Sequence, residues 1–262
     1  MCRMLLGSHP RICAPSETPW LFGPYGDGVS LQALLRVLCA SSYGPVESIP
    51  GVTTEDIHRA ANKFVLDIFR AKMKAEGKDI LVLKTPDDIN SIEDILKIFR
   101  QSLVVHIRRD VRDVALSTAR TDWTNLNFFG DNNFANCVRR WVAWERKVAL
   151  AKERSPDRIV SIRYEDLVKN PTPVLRSVVE KLGLGFAPEM LDYWTRADDA
   201  PKWDTGSRDA AKFRKIDPAR AFAYRGHVPT AEEARAIADH ERDIVALGYM
   251  PGWGEEAVSG PS

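Results

Sequence analysis

Three short apolar runs, separated by stretches long enough for helices, constrain this chain more than any other feature. They are Asp79-Ile80-Leu81-Val82-Leu83, Leu103-Val104-Val105-His106-Ile107, and residues 158–163 with Ile159, Val160 and Ile162. A continuous apolar run of this length, bounded by polar turns, is the pattern of a strand buried on both faces of a parallel sheet. The intervening segments carry helical periodicity. Residues 27–42 place Val29, Leu31, Leu34, Leu35 and Leu38 on one face. Residues 54–77 form a longer helix, capped by Thr53 or Thr54, whose predicted buried stripe is Ala60, Phe64, Val65, Ile68 and Phe69. Further helices run from Ser91 to about Arg100 and from a cap at Asp110 through Thr118. Another, from about Asn133 to Lys152, carries Phe134, Cys137, Val138, Trp141 and Val148 on its core face. Residues 173–182 make a helix stopped by Gly183, and Thr230-Ala231-Glu232-Glu233 is a capping box opening the last one, which Gly248 closes. Strands alternating with helices predict an α/β protein of three layers, a central parallel sheet flanked by helices.

The 262 residues suit one domain, spanning residues 1–250, with 251–262 as a flexible tail. With 37 Lys+Arg against 36 Asp+Glu, the net charge of +1 gives no bulk attraction to nucleic acid or anionic membrane, so an anion site has to be local. No apolar run approaches the ~20 residues that span a bilayer, and no basic-then-apolar leader opens the chain. Cys2, Cys13, Cys39 and Cys137 are far apart, which fits reduced thiols in a cytoplasmic protein. Its scattered histidines (His9, His58, His106, His227 and His240) predict no metal site.

In open parallel sheets, ligands bind beyond the carboxyl ends of the strands. The predicted strands exit into Lys84-Thr85-Pro86, into Arg108-Arg109-Asp110, and into Arg163-Tyr164-Glu165. Each exit delivers a cation or an aromatic, and a helix N-terminus beside Arg109 adds backbone donors. Together they suit a polyanion carrying a flat base, although solvated cations and a core tyrosine at 164 would give the same letters.

The segment Arg108-Arg109-Asp110-Val111-Arg112-Asp113-Val114-Ala115-Leu116-Ser117 resembles the 3′-phosphate motif of sulfotransferases that use 3′-phosphoadenosine 5′-phosphosulfate (PAPS). Arg163-Tyr164-Glu165-Asp166-Leu167 resembles their Y-E-D-L segment, and Lys84-Thr85-Pro86 their K-T-P strand exit. Residues His9-Pro10 to Glu17-Thr18 are similar to the H-P…E-T segment of tyrosylprotein sulfotransferases and bacterial relatives. The resemblance covers residues 3–249 and implies a P-loop-NTPase-like sulfotransferase fold missing its first strand. It implies that Arg109 and Ser117 hold the 3′-phosphate, that Tyr164 packs at the adenine, and that Lys84 stabilises the transferring sulfuryl group. Glu17 would be the general base. On the residues alone a turn role between Ser16 and Thr18 serves as well, and His9 ranks below Glu17 as the base. Arg214, Lys215 and Arg225 lie in a basic stretch that in this family often closes over the nucleotide. PAPS would be the co-substrate, with no metal. The acceptor would be a hydroxyl or amine on a small molecule, sugar, lipid or peptide.

The family's P-R-S-G-T-T loop, which binds the 5′-phosphosulfate, has no counterpart in the sequence; Cys2 to Leu6 correspond to the helix after it. We expect the coding frame to continue upstream of Met1 into that strand and loop. The alternative is a relative that keeps a nucleotide groove without transfer activity. A nucleotide kinase is disfavoured by the lack of G-x-x-x-x-G-K-[ST].

Overall fold

A computed structural model describes residues 1–23, 30–120, 133–199, 215–250 and 252–253. The elements, in chain order, are α1 (Cys2–Gly7), β1 (Ile12–Cys13), α2 (Leu31–Ala40), α3 (Pro45–Ser48), α4 (Thr54–Ala75), β2 (Ile80–Leu81) and α5 (Ile92–Ile98). They continue with β3 (Val104–Arg108), α6 (Val111–Ala119), α7 (Phe134–Arg154), β4 (Ile159–Arg163), α8 (Tyr164–Lys169), α9 (Pro171–Lys181), α10 (Ala231–Ala238) and α11 (Glu241–Ala246). Two compact units result: Met1–Val104 with Pro171–Ile216, and Val105–Asn170 with Asp217–Ser262.

In the first unit β1 and β2 pair in parallel, Ile12 opposite Ile80 and Cys13 opposite Leu81. The apolar pattern does not predict β1, because two residues are too few to carry periodicity. Its partner defines it: Val82 N–H donates to Cys13 O at 2.8 Å, and Ile80 N–H to Arg11 O at 3.1 Å. β2 is correspondingly shorter than the apolar run that announced it.

Thr53 caps α4 through a reciprocal capping box with Asp56. The buried stripe of α4 is Ala61, Val65 and Phe69. Phe64 and Ile68, expected inside, are 53% and 45% exposed. The apolar arc of this helix is wider than the surface it covers, and i,i+4 spacing from Ala61 decides which part is buried. Leu21, Phe22, Leu35 and Ile98 complete this core, with Trp20 stacked on Phe69.

In the second unit β3 pairs with β4. Asp110 caps α6, accepting from Arg112 N–H at 2.9 Å. The buried face of α7 includes Phe134, Cys137, Val138, Trp141 and Val148, as its periodicity predicted. Val111, Ala115, Ile237, Ile244 and Tyr249 pack with Phe134, Cys137, Val138 and Trp141 in one core. No helix among the described residues is long and apolar enough to cross a membrane.

Candidate functional site

The predicted site residues fall into two groups. Glu17, Lys84 and Lys215 belong to the first unit; Arg109, Ser117, Tyr164 and Arg225 belong to the second. Arg214 lies outside the described residues.

In the first unit Lys84 donates to the Glu17 carboxylate as an ion pair, with the two side chains 44% and 40% exposed. The pair is therefore reachable from solvent. Its loops are fixed beneath it. Thr18 N–H donates to Thr85 Oγ1 at 3.1 Å in a buried contact. Thr85 N–H in turn donates to Asp88 Oδ2 at 3.1 Å, opening the 3-10 turn Pro86–Ser91. Arg3 braces the same loop by donating to Pro15 O at 2.8 Å. Ser16 Oγ and Thr18 Oγ1, on either side of Glu17, are buried hydroxyls with no partner among the described residues. His9 is fully engaged: its Nδ1 accepts from Arg11 N–H at 3.1 Å, which leaves Nε2 to donate to Gly185 O at 3.0 Å. No ring nitrogen is left for proton transfer. Lys215 stands 5.5 Å above the Trp194 ring.

Thr85→Val removes the acceptor of a buried N–H and a turn cap together. Unfolding in urea should show a loss of about 1–3 kcal/mol. Unchanged stability would show that the Glu17 loop is not pinned there.

In the second unit the Arg109 guanidinium lies 4.4 Å over the Tyr164 ring. Its Nη2 donates to Asp113 Oδ2 and to Arg220 O, each at 3.1 Å, while Nε is buried with no acceptor among the described residues. Its carbonyl accepts from Trp141 Nε1 at 3.0 Å, fixing the strand exit. Burial pushes the Tyr164 phenol up, partly offset by Arg109. Burial likewise raises the Asp113 carboxyl against the pull of Arg109. Ser117 is exposed on α6, roughly two turns past its cap. Arg225 follows Tyr224, whose N–H donates to Asp113 Oδ1 at 2.7 Å. Arg225 Nε and Nη2 are buried without a hydrogen-bond acceptor among the described residues, and its guanidinium lies 4.7 Å over the Phe222 ring.

The neighbouring cations are committed elsewhere. Arg108 Nε donates to buried Glu145 at 2.8 Å. Burial would push Glu145 up, but His106 and Arg108 outweigh it and hold the carboxylate low. Arg112 is 1% exposed and grips Asp110 through Nε at 2.8 Å and Nη2 at 2.6 Å. Of the three arginines between 108 and 112, Arg109 alone keeps a buried N–H without a partner among the described residues.

Asp113, Arg220 and Phe222 were not singled out from the sequence. Asp113 had a readable signal, its i,i+4 spacing from Arg109. Its bond to Tyr224, 111 residues away, had none. Phe222 had none either: it is the one described non-glycine residue with positive φ, at φ 58° and ψ 39°.

Residues 1–188 match the sulfotransferase family. This chain belongs to that family. Among curated relatives, the omega-hydroxy-beta-dihydromenaquinone-9 sulfotransferase Stf3 is 27% identical over 162 residues, in both Mycobacterium bovis and Mycobacterium tuberculosis. The alignment covers 58% of this chain and 40% of each relative, so the chain spans about two-fifths of their length. Two solved structures share the fold. A sulfotransferase domain from the curacin biosynthetic pathway matches with TM-score 0.58 and 18% identity, covering 90% of this chain and 91% of that one. The sulfotransferase domain of the Synechococcus PCC 7002 olefin synthase matches with TM-score 0.59 and 24% identity, covering 94% and 89%.

Proposed function

We propose that this sulfotransferase moves a sulfuryl group from PAPS to a hydroxyl acceptor. One observation carries the nucleotide half of the reading. Arg109, which lies over the Tyr164 ring, and Arg225, joined to it through Asp113 and the Tyr224 amide, both hold buried N–H donors without a hydrogen-bond acceptor among the described residues. Unused buried guanidinium donors are costly unless an anion completes them, and a phosphate matches their planar fork. In this reading Arg109 and Ser117, with Arg225, take the 3′-phosphate, and the Tyr164 face meets the base.

The Glu17–Lys84 pair supplies the chemistry. The acceptor oxygen attacks sulfur in line, and the bond from sulfur to the bridging phosphate oxygen breaks. Adenosine 3′,5′-bisphosphate leaves with that electron pair, and the acceptor proton passes to Glu17. Lys84 offsets charge gathering on the sulfuryl and bridging oxygens, so positioning and charge stabilisation do the work. A hydroxyl acceptor is favoured over an amine because the curated relatives' name specifies an omega-hydroxy substrate. A lipid of that kind is one acceptor to screen, alongside sugars, peptides and small molecules.

Arg109→Ala tests the nucleotide half. Calorimetric titration with adenosine 3′,5′-bisphosphate should show affinity lowered ~10–100-fold, the worth of one charge-assisted contact set. Equal affinity for the variant and the wild type would take Arg109 out of the site. ATP competing as well as PAPS would point to phosphoryl chemistry instead.

A further inference from the structure

The Arg109–Asp113 pair brackets the most unusual backbone in the described chain. Arg109 Nη2 holds the carbonyl of Arg220, two residues before Phe222. Asp113 Oδ1 holds the amide of Tyr224, two residues after it. Between these anchors Phe222 adopts a left-handed conformation, φ 58° and ψ 39°, that a bulky side chain rarely takes. Such a conformation persists when its surroundings over-determine it. Here they do. The Phe222 ring meets Tyr224 edge-on at 6.2 Å, with the Arg225 guanidinium at 4.7 Å and Lys169 Nζ at 5.1 Å. Both oxygens of Asp113 are thus used on different partners, and its side chain is 2% exposed. A carboxylate that merely neutralised Arg109 would need neither this burial nor the second bond.

We propose that Asp113 is a positioning residue. It ties the strand-exit arginine to the turn of residues 220–226, so that the donors of Arg109 and Arg225 face one 3′-phosphate. This rests on the nucleotide reading above. Asp113 touches no substrate atom; it acts by holding the Arg109 side chain directly and, through the Tyr224 amide, the backbone of the turn that carries Arg225. Ordering them in advance is what raises affinity for the added phosphate.

The test compares adenosine 3′,5′-bisphosphate with adenosine 5′-monophosphate, which lacks the 3′-phosphate, by calorimetry on the wild type and on Asp113→Asn. The wild type should prefer the bisphosphate. In Asp113→Asn that preference should fall at least tenfold, while monophosphate affinity stays within about twofold. A merely structural role would weaken both nucleotides together, and that result, or a preference that survives, overturns the proposal. A wild type without any preference overturns the nucleotide reading and this inference with it. Amide exchange on the nucleotide-free chain gives an independent readout. Tyr224 N–H should exchange at least tenfold faster in Asp113→Ala, and continued protection there would overturn the link between helix and turn. If either variant fails to fold, Asp113→Glu, which keeps the charge and lengthens the arm, should show the same loss of 3′-phosphate preference; retained preference overturns the proposal.

Discussion

Glu17→Gln should slow sulfuryl transfer by at least ~100-fold, the range expected when a positioned general base is removed. The amide keeps the shape of the side chain and cannot accept the proton. It also surrenders the ion pair with Lys84, but that pair is exposed enough that solvent screens most of its worth to stability. The loop itself stays in place, because Thr18 N–H on Thr85 and Arg3 on Pro15 do not involve the carboxylate. Affinity for adenosine 3′,5′-bisphosphate should therefore stay within about twofold of wild type. A radiolabelled sulfate-transfer assay with a panel of hydroxyl acceptors reads the first quantity, and calorimetry reads the second. An unimpaired rate would remove Glu17 as the base. A rate loss matched by lost nucleotide affinity would assign Glu17 to binding.

The largest effect on stability should come from Asp110→Ala. Asp110 is fully buried, and its partner Arg112 is 1% exposed. One carboxylate caps α6, accepting Arg112 N–H at 2.9 Å, and takes two guanidinium bonds at 2.8 and 2.6 Å. The Asp110 amide donates to Glu165 Oε1 at 2.9 Å, and Glu165 Oε2 accepts from Tyr249 Oη at 3.0 Å. Removing the carboxylate strands a buried guanidinium that keeps, among the described residues, the Tyr224 ring at 3.8 Å and the Gly252 carbonyl. Breaking a buried pair on one side costs about 3–5 kcal/mol, a large part of a typical ~5–15 kcal/mol total. Urea unfolding should show that loss. Replacing both partners, as Asp110→Leu with Arg112→Met, should recover much of it, since no lone charge is then left buried. A single variant losing under ~1 kcal/mol would mean that the guanidinium is compensated elsewhere.

Much of the architecture was legible where local chemistry dictates it. The capping box at Thr230, the Asp110 cap and the glycine stop at 183 act within a few residues of chain and are where their letters placed them, and of the two caps the letters offered for α4 the structure uses Thr53. The runs that became β3 and β4 are apolar enough to announce themselves. By contrast, β1 exists only because Ile80 and Leu81 lie beside it. Phe64 and Ile68 share α4 with the buried stripe, yet what lies across the helix leaves them exposed. Helical periodicity locates an apolar arc; its partner decides how much of that arc is covered.

The candidate site divides along the same line. Arg109, Tyr164, Glu17 and Lys84 were nameable from the letters because strand exits and one resemblance carry them. The sequence by itself determined which residue types stand at those exits, and which helices follow them, since propensity and capping are local properties. Only the tertiary structure decided which charges are spent. Arg108 and Arg112 are committed to Glu145 and Asp110, while Arg109 and Arg225 retain donors without a hydrogen-bond acceptor among the described residues. That division rests on burial and on bonds between residues far apart in the chain, and no reading of neighbours along a sequence contains them.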